Sequence, residues 1–233
     1  MQNNEGLSGN NGYCSVLDAK KQQKIDNLIV IMKKLGFPND DKLESASRKM
    51  HRHEFVPISL KEEAYEDAPL STMKNQTISQ PSVVSRMTEW LDIKEGQKIL
   101  EIGSGSGWQT AILSYLVRHG KVYSIERHSE LAEFAKKNLD KLGISNVKVI
   151  LGDGSLGLLE ESPFDRIIIT AACKKVPEKL LEQLSIGGLL IAPVGEFPQS
   201  LVLLKKTSDG IVEIKNQPGY VFVPLLGKFD REK

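Results

Sequence analysis

The second half of the chain alternates short apolar runs with longer amphipathic segments. Five runs have the length and composition of buried strands: residues 98–102, 121–125, 147–151, 166–170 and 189–194. Segments with helical periodicity lie among them, at residues 81–91, 108–116, 129–143 and 177–184. This alternation is typical of an α/β protein whose parallel sheet carries helices on both faces. We therefore predict a Rossmann-like fold with a mostly parallel sheet of about seven strands.

The pattern differs at the two ends of the chain. Apolar runs at 201–206, 210–214 and 219–226 follow one another closely, which predicts antiparallel strands at the C-terminus. Near the N-terminus, helices are expected at residues 20–36 and 42–50, followed by an irregular polar stretch up to residue 80. One face of the first helix carries Ile25, Leu28, Ile29, Met32 and Leu35.

These patterns predict one folded domain with a tail in front of it. Residues 1–19 are rich in Asn, Gly and Ser, so we expect a flexible N-terminal tail. Residues 20–233 then form a single domain. Within it, residues 20–80 are an N-terminal region of helices and loops, and residues 81–233 are the Rossmann-like core.

Composition excludes several classes of function. The 31 basic and 30 acidic residues nearly cancel, and the basic pairs are scattered, which argues against nucleic-acid binding. No secretory signal or membrane span is evident, and Cys14 and Cys173 resemble neither a disulfide framework nor a metal site. Cys173 is expected to be a buried thiol. We expect a monomer in the cytoplasm that binds no nucleic acid, membrane or metal.

The strongest chemical signal is a glycine-rich loop between a strand and a helix, ILEIGSGSGWQTAIL at residues 99–113. Such a loop leaves backbone amides free to contact a ligand. Gly103, Gly105 and Gly107 recur at every second position, whereas a dinucleotide site needs a third glycine where Trp108 stands. This spacing argues against binding of a pyrophosphate.

Three acidic residues lie at or just beyond the carboxyl ends of three of the predicted parallel strands. Glu101, Glu126 and Asp153 should meet at one edge of the sheet, where they would repel phosphates and attract a cation. S-adenosyl-L-methionine fits these properties. Glu101 is expected near its methionine amine, Glu126 on its ribose hydroxyls and Asp153 at its adenine edge. Any one of these acids, taken alone, is equally well explained as a polar strand end.

The stretch NQTISQP at residues 75–81 allows two interpretations. Gln80 precedes a proline and is therefore biased toward extended geometry, in which Thr77 and Ser79 point to the same side. The short polar residues are then either a cap for a helix that begins at Pro81, or hydroxyls presented to a ligand.

Several motifs distributed over residues 43–227 resemble the protein-L-isoaspartate O-methyltransferase family. They are RHEFVP, AYEDAPL, QTISQP, VVSRMTEWL, LEIGSGSGWQ, GDGSLG, PFDRIIITAA, VPEKLLEQL, GGLLIAPVG and FVPL. The resemblance implies transfer of a methyl group from S-adenosyl-L-methionine to the α-carboxyl of L-isoaspartyl residues in damaged proteins and peptides. The resulting ester closes to a succinimide that opens partly to normal aspartate, which amounts to repair.

The resemblance also implies site residues. Ser79 corresponds to the active-site serine. The cofactor-binding residues are expected to be Gln76, Thr77, Ile78, Ser79, Glu101, Gly103, Ser104, Gly105, Glu126, Arg127, Asp153 and Gly154. The substrate-binding residues are expected to be Thr77, Ser79, Val221, Phe222 and Val223. Because a carboxylate is already ionised at pH 7, the reaction requires no general base, and Ser79 is expected to orient the substrate carboxylate.

The chain departs from the family pattern at three places. STMKNQ replaces a glycine-bearing lead into the QTISQP motif, Val221 stands where an arginine often precedes FVPL, and Trp108 replaces a usual tyrosine. Two alternatives therefore stay open, namely a related methyltransferase acting on another carboxylate and a cofactor-binding protein without activity. The intact TIS sequence argues against the second.

Overall fold

Two helices and a small hairpin form the N-terminal region in the computed structural model, which describes the backbone of residues 11–228 and the side chains of residues 19–228. Helices α1 (Asn11–Lys34) and α2 (Asp41–Lys49) precede the antiparallel strands β1 (Leu70–Ser71) and β2 (Thr77–Ile78). The hairpin lies within the stretch that was expected to be irregular.

Helix α1 differs from the prediction at both its first and its last residue. It begins at Asn11 instead of residue 20, so it includes part of the expected tail. Residues 1–10 lie outside the described residues, and the flexibility of the tail stays a prediction. Ile25 and Met32 are buried as expected, but Leu35 is half exposed. The helix ends at Lys34, which leaves Leu35 in the turn that follows.

A seven-stranded sheet forms the core, as predicted. Its strands are β3 (Lys98–Ile102), β4 (Lys121–Glu126), β5 (Val147–Leu151), β6 (Phe164–Ile169), β7 (Leu184–Val194), β8 (Gln199–Thr207) and β9 (Gly210–Tyr220). The order across the sheet is β5-β4-β3-β6-β7-β8-β9. Strands β3 to β7 are parallel, and β8 and β9 are antiparallel. The helices that follow or precede these strands are α3 (Pro81–Trp90), α4 (Trp108–Val117), α5 (Ser129–Lys141) and α6 (Glu178–Glu182).

Alternate residues of the central strands pack into two separate hydrophobic clusters. Ile99 and Ile168 join the cluster that includes helices α3 and α4, whereas Leu100, Ile167 and Ile169 join the cluster that includes helix α6. Successive side chains of a strand point to opposite faces, so both faces of the sheet are covered. Burial of each such side chain contributes about 1.5–3 kcal/mol to folding. Within residues 11–228, no helix has both the length and the apolar character needed to cross a bilayer.

The C-terminal segment corrects one prediction. Residues 219–226 do not form a separate strand, because β9 continues to Tyr220 and the chain then leaves the sheet. The backbone of Ala172 exchanges two hydrogen bonds of 2.7 Å with Val223 and Leu225. This pairing carries residues 221–228 back across the carboxyl ends of the parallel strands.

Candidate active site

A cavity of about 500 Å³ lies at the carboxyl ends of the parallel strands. Open α/β sheets bind ligands at this edge, and the volume is typical of sites for small molecules and cofactors. All predicted site residues except Glu101 and Asp153 line the cavity: Gln76, Thr77, Ile78, Ser79, Gly103, Ser104, Gly105, Glu126, Arg127, Gly154, Val221, Phe222 and Val223. The structure thus brings the QTIS segment, the glycine loop and the C-terminal segment together.

Two glycines of the loop are required by their surroundings. Gly103 has a φ of +97°, and a Cβ there would stand 2.3 Å from the Oγ1 atom of Thr170. Gly107, with a φ of +88°, begins helix α4, where a Cβ would stand 3.2 Å from Ala135 of helix α5. Both positions favour glycine because of the positive φ and the close approach. Glycine at position 103 therefore lets the loop backbone lie beside Thr170 at the cavity, and glycine at position 107 lets the start of α4 pack against α5.

Glu126 provides a fixed carboxylate at the end of β4. Its Oε2 atom accepts a hydrogen bond from the Gly105 amide, and its Oε1 atom accepts one from the His128 amide, both over 3.0 Å. The side chain is nearly buried but lines the cavity. Each carboxylate oxygen has a further lone pair, so Glu126 can accept two hydroxyl groups of a ligand without rearrangement.

Glu101 lies below the cavity and not on its surface. Its Oε2 atom accepts hydrogen bonds of 2.5 Å from Thr110 and Ser124, and Ser124 in turn contacts Ser104 of the glycine loop over 2.5 Å. Its Oε1 atom is buried and has no hydrogen-bond partner among the described residues. Burial raises the pKa of Glu101 to about 8. The predicted contact with a methionine amine stays a prediction, and the structure links Glu101 to the cavity through two hydroxyls.

The Asp153 carboxylate accepts hydrogen bonds from other residues of the protein. One carboxylate oxygen accepts hydrogen bonds from the amide and hydroxyl of Ser155, and the other accepts one of 2.7 Å from the Lys228 amide. Burial acts to raise the pKa of Asp153, but these hydrogen bonds outweigh it and lower the pKa. Asp153 thereby holds the C-terminal segment beside the cavity. Its predicted contact with the adenine is not tested by this geometry.

The hydroxyls of Thr77 and Ser79 have no hydrogen-bond partner in the described part of the chain. Ile78 between them is buried in the core, whereas Thr77 is exposed and Ser79 half-buried. The period of two along an extended segment accounts for this arrangement. Both hydroxyls are therefore available to a ligand in the cavity.

The cap of helix α3 comes from a residue that the sequence analysis did not consider. Pro81 is the first helical residue, as predicted, but no side chain of the QTISQ stretch caps the helix. Instead, Asp67 accepts a hydrogen bond of 2.7 Å from the Ser82 amide and one of 3.0 Å from the Gln80 side chain. The expectation of a local cap is therefore wrong.

Arg52, from the RHEFVP motif, binds the backbone of the QTISQ segment. Its guanidinium donates hydrogen bonds to the backbone carbonyls of Ser79 at 3.0 Å and Ala68 at 2.8 Å, among others. Its Cζ atom lies 5.3 Å from the ring centroid of Trp108. Burial lowers the pKa of Arg52 to about 10, which leaves the side chain protonated at pH 7. Sequence reasoning missed this role, although the motif itself pointed to the residue.

The segment STMKNQ, residues 71–76, departs from the family pattern and forms a tight turn between β1 and β2. Lys74 and Asn75 have φ values of 60° and 55°, in the left-handed region that favours glycine. The Lys74 ammonium forms an ion pair of 2.6 Å with Glu130 in the first turn of α5. The turn adopts a glycine-like conformation without glycine and is tied to the helix that follows Glu126.

Comparison with known proteins identifies the same family that the motifs suggested. The model of the family described as protein-L-isoaspartate(D-aspartate) O-methyltransferase (PCMT) matches residues 22–230. A protein-L-isoaspartate O-methyltransferase of Methanopyrus kandleri is 45% identical over 206 residues, which are 87% of this chain and 91% of that protein. Its counterpart in Pyrococcus horikoshii is 44% identical over 216 residues, which are 91% of this chain and 98% of that protein.

Solved structures agree with this result. A protein-L-isoaspartate O-methyltransferase superimposes with a TM-score of 0.78 at 33% identity, covering 88% of this chain and 67% of the other. A structure described as the Plasmodium falciparum enzyme in complex with S-adenosyl-L-homocysteine has a TM-score of 0.75 at 27% identity and covers 88% of this chain and 98% of the other. The fold, the extent of the matches and the sequence identity lead to one conclusion: the chain belongs to the protein-L-isoaspartate(D-aspartate) O-methyltransferase family of S-adenosyl-L-methionine-dependent enzymes.

Proposed function

We propose that this chain transfers a methyl group from S-adenosyl-L-methionine to the α-carboxyl of L-isoaspartyl residues in damaged proteins and peptides, and so begins their repair. The observation that carries this proposal is the pair of free hydroxyls on Thr77 and Ser79, which line one cavity with the fixed carboxylate of Glu126. Identity of 45% to a named protein-L-isoaspartate O-methyltransferase over most of both chains supports the same activity.

The residues of the cavity fit the cofactor. Glu126 would hold the ribose hydroxyls, and the backbone amide of Ser104 in the glycine loop would contact the rest of the cofactor. When bound, S-adenosyl-L-methionine supplies a methyl group on a positively charged sulfur. The cavity lining contains polar groups at the loop and apolar ones at Ile102 and Ile125, which suits a ligand with both kinds of surface.

The protein's own contribution is alignment of the substrate. Ser79 would donate a hydrogen bond to one oxygen of the substrate carboxylate and leave the other oxygen free to react. Thr77, on the same side of the strand, would border the cofactor and the substrate. Partial removal of water from the carboxylate and correct positioning can together lower a barrier by several kcal/mol. No general base is needed, because the carboxyl is ionised at neutral pH.

Labelled S-adenosyl-L-methionine and paired peptides test this proposal. The two peptides differ only in whether one residue is L-isoaspartate or L-aspartate, and the measured quantity is base-labile label. Label on the isoaspartyl peptide alone is the expected result. Label on both peptides, or only on another carboxylate, would favour a related carboxyl methyltransferase. Binding of the cofactor without turnover of any carboxylate would indicate the inactive alternative.

We also propose that the protein acts as a monomer in the cytoplasm. The near balance of 31 basic and 30 acidic residues supports a freely diffusing protein without a strong electrostatic partner. Light scattering coupled to gel filtration measures the mass in solution and so tests whether the protein is a monomer. A mass of about 26 kDa, close to the 25.9 kDa of the chain, is expected, and twice that mass would contradict it.

A further inference from the structure

Arg86 of helix α3 presents a pre-oriented guanidinium on the wall of the cavity. Its Cζ atom lies 4.3 Å from the ring centroid of Phe37 and 5.8 Å from that of Tyr220, and it donates a hydrogen bond to the Tyr220 hydroxyl. Aromatic faces hold the planar group without neutralising its charge. The side chain is thus held in place before any ligand arrives.

Arg86 differs from the other buried or half-buried arginines in the partners of its guanidinium. Arg48 pairs with two carboxylates, and Arg52 and Arg166 donate to backbone carbonyls. Within residues 19–228, Arg86 forms no ion pair, and its one hydrogen bond goes to the neutral Tyr220 hydroxyl. The described chain therefore leaves the charge of Arg86 without a carboxylate or carbonyl partner, which a bound anion would supply.

The charge of the cavity wall favours an anion at this place. Of the described residues that line the cavity, Glu126 alone carries a carboxylate, and it belongs to the edge where the glycine loop lies. Val83, one helical turn before Arg86, and Tyr220, which accepts its hydrogen bond, also line the cavity and carry no charge. Carboxylate and guanidinium can form two parallel hydrogen bonds, so a carboxylate is the anion that suits this group.

The distance to the reacting end of the cavity is set by helix α3. Arg86 lies five positions after Pro81, and with a rise of about 1.5 Å per residue this corresponds to roughly 7.5 Å along the helix axis. Ser79 lies two residues before Pro81 on the extended segment that leads into the helix, which adds at most about 7 Å. An extended peptide advances about 3.3 Å per residue, so the separation between Ser79 and Arg86 corresponds to roughly two to four residues.

We propose that Arg86 binds a second carboxylate of the substrate peptide, about two to four residues away from the isoaspartyl residue. This inference rests on the proposed function, because it takes the reacting carboxyl to lie at Ser79. An acidic side chain and the C-terminal carboxylate of a peptide share the required chemistry. The protein would then prefer isoaspartyl sites near acidic residues or near chain ends.

A set of isoaspartyl peptides with blocked termini tests the proposal. Glutamate is placed in turn at each of the four positions before and after isoaspartate, with glutamine in the parent peptide, and a further peptide carries a free C-terminus two residues after isoaspartate. The measured quantities are KM and kcat for each peptide and the Kd of S-adenosyl-L-methionine. The proteins compared are the natural chain, Arg86→Gln and Arg86→Lys, with Arg118→Gln as a control that removes an exposed arginine outside the cavity.

The expected result is a KM about tenfold lower for at least one carboxylate-bearing peptide than for the parent. Arg86→Gln should abolish this difference, Arg86→Lys should keep part of it, and Arg118→Gln should keep all of it. An unchanged cofactor Kd would show that the variants are folded. Equal KM values for all peptides with the natural chain, or equal losses for charged and neutral peptides in Arg86→Gln, would overturn the inference. Absence of methylation of every isoaspartyl peptide would instead contradict the proposed function.

Discussion

Arg52 donates a hydrogen bond of 3.0 Å from its guanidinium to the backbone carbonyl of Ser79. The same guanidinium contacts the carbonyls of Glu66 and Ala68, so a single buried group holds residues 66–68 and residue 79 together. Arg52 therefore acts as a positioning residue for the segment that presents Thr77 and Ser79.

Replacing Arg52 by lysine should lower kcat more than it weakens cofactor binding. Lysine keeps the charge but cannot donate in several fixed directions, so Ser79 would lose its fixed position. We expect kcat to fall on the order of tenfold to hundredfold and the Kd of S-adenosyl-L-methionine to change by less than about threefold. Arg166→Lys is the matched control, since Arg166 is also buried and also donates to carbonyls, at Leu91 and Asp92. Equal kcat losses in the two variants would show that general destabilisation is the cause.

Removing the Ser79 hydroxyl should reduce turnover much more than cofactor affinity. The hydroxyl has no partner among the described residues, so Ser79→Ala should change the free energy of unfolding by less than about 0.5 kcal/mol. Loss of one hydrogen bond to a charged substrate group should reduce kcat/KM by about tenfold or more. Ser71→Ala is the control, because Ser71 is the exposed residue of strand β1. Unaltered turnover in Ser79→Ala would remove this residue from the mechanism.

Substitution of Glu126 should weaken cofactor binding. Glu126→Ala removes a carboxylate that would accept two hydroxyls, and the loss is expected to be about 1.5–3 kcal/mol of binding free energy. Part of this loss arises because the Gly105 amide loses its acceptor and the glycine loop becomes less fixed. Titration calorimetry measures the effect, with Glu160→Gln at an exposed position as the control. An unchanged Kd would contradict the ribose contact.

Glu101 should make the stability of the protein depend on pH. Its pKa is about 8 in the folded state against a usual value of 4.5. Between these values the unfolded chain releases the Glu101 proton while the folded chain retains it. The contribution of Glu101 to the free energy of unfolding should therefore be largest below about pH 4.5. It should fall as the pH rises to about 8, by at most about 1.4 kcal/mol per pH unit.

Urea denaturation of the natural chain and Glu101→Gln at several pH values tests this expectation. Glutamine does not titrate, so the variant should lack the Glu101 contribution and lose less stability than the natural chain between pH 5 and pH 8. Parallel stability curves for the two proteins would show that Glu101 does not retain its proton.

The sheet and its helices were predictable because their signals are local. Strand β3 occupies the predicted residues, and helices α3, α4 and α5 begin at the predicted positions, since apolar periodicity and proline directly encode such elements. The alternation of side chains along β3 could also have predicted the face of the sheet on which Glu101 lies. Alternation places Glu101 on the same face as Ile99, toward helices α3 and α4, which accounts for its burial.

The support of the site could not be predicted in the same way. Asp67 and Arg52 act on residues 79–82 through contacts that no periodic pattern encodes, because they depend on how the irregular stretch folds back on the helix start. Phe37 and Tyr220 flank Arg86 although they lie at opposite ends of the chain. Only the assembled tertiary structure shows such relationships.

The cap that Asp67 provides for helix α3 has a consequence for protein engineering. Because the cap comes from outside the QTISQP motif, the two hydroxyls are not occupied by the helix start. A graft of these six residues alone into another methyltransferase would transfer the hydroxyls but neither Asp67 nor Arg52. The smallest transferable unit therefore comprises the RHEFVP and AYEDAPL segments together with the motif.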